Sequence, residues 1–406
     1  MRSRVREAGS DLPRPCHARE RQRRPPFGKM ANDSTRPSTD EPKTTVPPGA
    51  TRRSAGLTPG TLLRIIAINL AVLLGLALAG ELAFGEWFGA HPLGGLALLR
   101  NVKVRISPAP LYPGGHDFIY QRDAIGFRGS GVDPARVTIL TLGGSTTNQL
   151  YLPEEATWQA VLERTLRQSG HEVVVANAGL DGQSSIGMIA DLELWIPNVP
   201  HLRPRLILVY IGINDAHVKD TWRDSLRITK LGRSLEQRSA LVRLWGIVEG
   251  SIHAHQAGLI HHAVDFAGAT WTDRPAQPDR PKDPIEARLD AYQARLGRIA
   301  DLIQRLGATP IFVTQTRSDY RVDNGRLIGI AKPGAFNGVD EGLALMRLNA
   351  TTLALCRERR LTCLDLASEL HFADGDFYDY EHNTPQGAEK IGRWLATKLA
   401  RLLDSP

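Results

Sequence analysis

Val137-Thr-Ile-Leu-Thr-Leu-Gly-Gly-Ser-Thr-Thr147 decides the fold. Val137–Leu142 is a short apolar, β-branched run, the pattern of a strand buried on both faces. Two glycines and a serine then break it, and a polar, helix-like stretch follows. Moving outward, the same alternation recurs. Trp158–Gln168 reads as a helix, Glu172–Asn177 as a strand, Ile186–Trp195 as a helix and Leu206–Tyr210 as a strand. Beyond a break, Pro284–Leu306 is a long helix and Pro310–Thr314 a strand. Gly342–Arg359 is a helix, Thr362–Asp365 a strand and Pro385–Leu403 a closing helix. Strands alternating with helices predict an α/β fold: a three-layer α/β/α sandwich around a parallel, flavodoxin-like sheet of about five strands. In such sheets ligands bind beyond the carboxyl ends of the strands.

Four motifs fall at those ends. Gly143-Gly144-Ser145 follows the first strand, where a serine opening a helix is exposed and free N–H groups suit a developing oxyanion. Alone it is also a simple turn and helix cap. It matches neither G-x-S-x-G, because Thr147 replaces the second glycine, nor a P-loop. Asn177-Ala-Gly-Leu-Asp-Gly182 follows the second strand and offers a backbone donor. Ile211-Gly-Ile-Asn214-Asp215 follows the third and offers a side-chain amide. Asp379-Tyr-Glu-His382 stands just before the last helix, a base with a carboxylate three residues upstream. Asp374 and Asp376 compete with Asp379 for the acid role, and Glu381 adjoins His382.

These blocks, in this order, resemble the SGNH hydrolases, or GDSL lipase/esterase family, over residues 120–406. The form is its Gly-Gly-Ser-Thr-Thr variant, with Gly126-Phe127-Arg128 upstream; Gly144 and Thr146 stand where many members have Asp and Leu. The resemblance implies Ser145 as nucleophile, His382 as general base then acid, and Asp379 as the orienting carboxylate. The Gly182 N–H and Asn214 amide would complete an oxyanion hole with the Ser145 N–H. It implies acyl transfer through an acyl-serine, with no cofactor and no metal. The expected activity is hydrolysis of a carboxylic ester, on acylated sugars or lipids of the cell envelope. Two alternatives are an O-acyltransferase acting on an envelope glycan and a non-catalytic glycan-binding module on the same fold.

The rest of the chain concerns place. The net charge of +7 sits in residues 1–60; the remaining chain is balanced. That Arg-, Pro-, Ser- and Thr-rich stretch is expected to be a disordered tail, and Met30 offers a second start. No nucleic-acid motif accompanies it, so no nucleic-acid partner is expected. Ile65–Phe84 is nearly unbroken apolar sequence, and residues 61–86 are read as a spanning helix. Arg52, Arg53 and Arg64 before it put the tail in the cytoplasm and residues 90–406 outside, in the periplasm. Ala77-Leu-Ala79 leaves a signal peptide as an alternative, against which stands the long stretch before the run; a buried core helix is another. Residues 87–133 are expected to connect anchor and domain, and the hydrolase domain to run over 134–406.

Residues 216–283 break the α/β rhythm and read as a helical insertion, a lid or a surface near the bilayer, with Leu241–Val248 amphipathic. Its His253, His255, His261 and His262 invite a metal reading, but no paired carboxylate stands at ligand spacing, so they are taken as solvated or capping. Of the three cysteines, Cys16 lies in the tail. Cys356 and Cys363 are read as two small buried hydrophobes, with pairing open to an oxidising compartment. The oligomeric state is not encoded in any motif.

Overall fold

The computed structural model describes residues 58–85, 98–218, 261–276, 285–332 and 336–404, together with 87, 93, 96, 238–242, 244 and 245. The expected tail, the choice between Met1 and Met30, and most of the insertion lie outside these residues. The chain divides into two units, Met1–Leu63 and Arg64–Pro406. Helix α1 (Pro59–Phe84) has no buried residue and is the one helix among the described residues long and apolar enough to cross a membrane, with a mean hydropathy of 2.4.

After it, β1 (Val102–Ile106) and β2 (Phe118–Arg122) form an antiparallel hairpin. Then come β3 (Ile139–Gly143), the short α2 (Ser145–Asn148), α3 (Trp158–Gln168), β4 (Val175–Asn177), α4 (Ser185–Ala190) and β5 (Leu206–Tyr210). They are followed by β6 (Trp271–Thr272), α5 (Glu286–Arg305), β7 (Thr309–Val313), β8 (Tyr320–Asp323) and β9 (Arg326–Ile330). The chain closes with α6 (Gly338–Arg359), β10 (Thr362–Leu364), α7 (Leu366–Glu369) and α8 (Pro385–Leu403).

The main sheet has the order β10-β7-β5-β3-β4, and every pairing is parallel. Numbered along the chain, its strands run 2-1-3-4-5, the flavodoxin-like order, whose switch point lies between β3 and β5. Period-2 alternation explains the three layers. Leu140 and Leu142 of β3, Ile207 and Val209 of β5 and Phe312 of β7 join the core under α4, α5 and α6. Ile139, Leu208, Tyr210, Ile311 and Val313 face the other way, into the core under α3 and α8. Thr157 caps α3 through the Ala160 N–H, Asn337 makes a capping box on α6, and Thr384 with Pro385 starts α8.

Several details depart from the sequence reading. The helix expected over Ile186–Trp195 changes to π-type over Asp191–Trp195, seating Trp195 fully buried with its indole N–H on the Ile125 carbonyl at 2.8 Å. The expected connector holds the β1–β2 hairpin, and its Phe127 is 1% exposed in the core. Within the expected insertion, Trp271–Thr272 forms β6, which pairs with β9 in a second sheet of order β6-β9-β8. Cys356 and Cys363 are joined in a disulfide, not merely packed: the end of α6 and the start of β10 bring their Cα atoms to 6.0 Å.

Candidate active site

Ser145 is the first residue of α2, at the carboxyl end of β3 beside the switch point. A Cβ on Gly144 would stand 2.2 Å from Asn214 Nδ2, so the amide of Asn214 lies directly against the residue before Ser145. That amide also donates to the Gln183 carbonyl at 2.8 Å. Gly182, in the left-handed region with φ +71°, is held from both sides. Asp181 before it accepts from Asn148 Nδ2 at 2.8 Å, and Gln183 after it is tied to Asn214. The Ser145 and Gly182 N–H groups donate to no acceptor among the described residues. Asp215, next to Asn214, is fully buried and accepts from the Ser185 N–H at 3.0 Å; burial pushes its carboxyl up to about 6.

Asp379 and His382 come from the turn before α8. His382 Nε2 stands 2.7 Å from Ser145 Oγ. His382 Nδ1 lies 3.0 and 2.9 Å from the two Asp379 oxygens. Asp379 Oδ1 also accepts from the Glu381 and His382 N–H groups at 2.9 and 2.7 Å, which fixes the three-residue offset as a turn. Burial raises the Asp379 pKa, but hydrogen bonds from His261 and His382 outweigh it and hold the carboxyl well below its usual range. Burial disfavours the His382 cation, yet the hydrogen bond and charge of Asp379 win and raise its pKa. The structure brings Ser145, His382 and Asp379 into one hydrogen-bonded chain and sets the Asn214 amide against Gly144, while Gly182 precedes Gln183, whose carbonyl that amide holds. The competing Asp376 is fully buried, and its carboxylate accepts instead from Lys390 Nζ at 2.5 Å and from the Ala373 N–H at 2.6 Å.

The sequence reading misses two parts. His261 is neither solvated nor a cap: its Nδ1 stands 3.0 Å from Asp379 Oδ2 and its ring meets His382 edge-on, 4.2 Å between centroids. His262 is exposed, and His253 and His255 lie outside the described residues. The second part is a buried ion cluster behind the turn. Arg317 binds Asp319 twice, at 2.9 Å each, and also binds Glu381. Lys332 Nζ adds a contact to Asp319 at 2.7 Å. Ser318 Oγ donates to the Asp379 carbonyl at 2.8 Å.

Asp319→Ala therefore leaves Arg317 half-paired in the interior. A loss of about 3–5 kcal/mol is expected in urea unfolding. Burial raises the Asp319 pKa, but Arg317 and Lys332 outweigh it and lower the value. Its contribution is present above the unfolded carboxylate pKa and is lost as pH falls through the depressed folded value. The deficit of the variant should accordingly shrink in strong acid.

A profile of the GDSL-like lipase/acylhydrolase family matches residues 141–390. The chain is 31% identical over 81 residues to esterase TesA of Pseudomonas aeruginosa, over 20% of this chain and 39% of that protein. It therefore spans about two fifths of the length of that curated relative. A crystal structure of TesA is similar at 14% identity with a TM-score of 0.37, over 65% of this chain and 99% of that one. Est24, a carbohydrate acetylesterase from Sinorhizobium meliloti, is similar at 12% identity with a TM-score of 0.37, over 66% and 99%.

Proposed function

Since the chain belongs to the GDSL-like lipase/acylhydrolase family, we propose that it is a serine esterase working through an acyl-serine intermediate. The observation that carries this is the 2.7 Å contact of His382 Nε2 with Ser145 Oγ, with Nδ1 of the same ring on Asp379. His382 takes the Ser145 proton as Oγ bonds to the ester carbonyl carbon. The carbonyl oxygen becomes an oxyanion between the Ser145 and Gly182 N–H groups and the Asn214 amide. The tetrahedral adduct collapses, the C–O bond to the alcohol breaks, and His382 returns the proton to the departing alkoxide. Water, deprotonated by His382, then attacks the acyl-serine; the acyl–Oγ bond breaks, His382 returns the proton to Ser145 Oγ, and the acid leaves. Asp379 stays ionised throughout and stabilises the imidazolium.

The substrate is an ester of the cell envelope, an acylated sugar or lipid, met by a domain tethered to the membrane by α1 and facing the extracytoplasmic side. Three observations support this place. No residue of helix α1 is fully buried within the protein. Its Glu81 accepts from Trp87 Nε1 at 2.8 Å and from the Leu241 N–H at 2.9 Å, which satisfies the one charge in the apolar run. The Cys356–Cys363 disulfide suits an oxidising compartment.

Hydrolysis rates on acetyl, butyryl and long-chain esters, with and without a glycan acceptor, test the proposal. Wild type should release free acid and Ser145→Ala should not. Acid release equal in both proteins sinks the esterase reading, and acyl transfer to the glycan in place of acid release redirects it to an acyltransferase.

A further inference from the structure

Asp379 serves two imidazoles. His382 Nδ1 reaches it from the turn, and His261 Nδ1 reaches Oδ2 at 3.0 Å from 118 residues away in the chain. Asp379 is held ionised and accepts only, so His261 donates through Nδ1–H. The His261 ring is boxed by Tyr151 (4.9 Å between centroids), Tyr378 (5.9 Å) and His382 (4.2 Å), and its side chain is 18% exposed. The backbone around it is fastened to the same turn: the Val264 N–H donates to the Tyr378 carbonyl at 2.9 Å. Farther along, the Ala331 N–H donates to the Thr270 carbonyl at 2.8 Å and Trp271 carries Arg321 over its ring at 4.2 Å. An apolar residue would fill the box equally well. An imidazole with a donor aimed at the catalytic carboxylate does something packing alone does not require.

Resting on the serine-hydrolase reading above, we propose that His261 is a positioning residue, which orients Asp379 toward His382 and shares its charge. The insertion thereby supplies part of the active site. Catalytic competence depends on the seating of the 261–276 segment against the Asp379–His382 turn. His261 touches no reacting atom; it acts through Asp379, as outer-shell donors orient the ligands of metal sites.

The test pairs His261→Leu with His261→Asn in the full-length protein. Both lose the ring, but only asparagine keeps an N–H donor near the Nδ1 position. The groups facing His382 are Asp379, His261, Tyr378, Glu381 and Asp181. With one donor gone, Asp379 holds more unshared negative charge and stabilises the His382 cation more strongly. His261→Leu should lower kcat about tenfold or more with KM nearly unchanged, and move the acid limb of the pH–rate profile to higher pH. His261→Asn should recover most of kcat and the wild-type limb. Unchanged kcat and profile in His261→Leu overturns the proposal, as does equal impairment in both variants. Fluorophosphonate labelling of wild type and Ser145→Ala, run beside it, separates the two layers. If wild type is not labelled, the hydrolase reading itself fails. If wild type is labelled and the His261 variants behave like it, only the role of His261 fails.

Discussion

His382→Ala should lower kcat for ester hydrolysis by roughly 10⁴–10⁶ while the protein still folds, the scale seen when the base of such a triad is removed. The size follows from geometry. Ser145 Oγ has one described base within reach, His382 Nε2 at 2.7 Å, and a neutral alcohol is a poor nucleophile without one. The fold should survive because the turn has independent anchors. The Tyr378 N–H donates to the backbone carbonyl of His382, the Ser318 N–H to the carbonyl of Tyr380, and the Thr384 N–H to that of Asp376. The pH dependence has a definite sign. Neutral His382 is the active form, so activity falls as pH drops through its pKa. Asp379 raises that pKa above the ordinary imidazole value, so the acid limb should lie above about 6.5. Circular dichroism reports the fold, and initial rates between pH 5 and 9 report the limb. Wild-type turnover in His382→Ala overturns the base assignment.

Asn214→Ala should slow acylation by about 10²–10³, the usual cost of one oxyanion donor, with little change in KM. The companion Gly144→Ala is the sharper experiment. Its new methyl would fall 2.2 Å from Asn214 Nδ2 and 3.1 Å from the Gln183 carbonyl. The amide must move, and the variant should lose a large part of what Asn214→Ala loses although it deletes nothing. The double variant should then be little worse than Asn214→Ala alone, because both changes act through one group. Pre-steady-state release of a chromogenic alcohol measures acylation directly. If Gly144→Ala acylates at the wild-type rate, the amide does not serve the oxyanion.

Much of this was legible in the sequence because the informative signals are local. The buried strands carry unbroken apolar runs: the residues of Leu206–Tyr210 form β5 end to end, and all five are buried. The helix starts expected at Trp158 and Pro385 are kept by the structure, each capped by the threonine before it. Ser145, Gly182, Asn214 and the Asp379–His382 pair could be placed because each follows a strand or precedes a helix on one sheet edge. What stayed hidden depends on long-range meetings. His261 sits in a segment without periodicity, and nothing nearby announces its partner Asp379. The β1–β2 hairpin is short and largely exposed on β1, so it reads as a connector. Trp271–Thr272 is too short to read as a strand and becomes one only by pairing with β9. The Cys356–Cys363 bond required knowing that Arg360 turns left-handed, φ +55°, and folds the chain back from α6 into β10.

The most direct measurement is the site of covalent modification. Full-length protein is treated with a fluorophosphonate, digested, and its adduct mapped by mass spectrometry. An acyl-serine mechanism predicts one adduct, on the peptide carrying Gly143-Gly144-Ser145, absent from Ser145→Ala and strongly slowed in His382→Ala. An adduct on another residue, or unchanged labelling of Ser145→Ala, contradicts it.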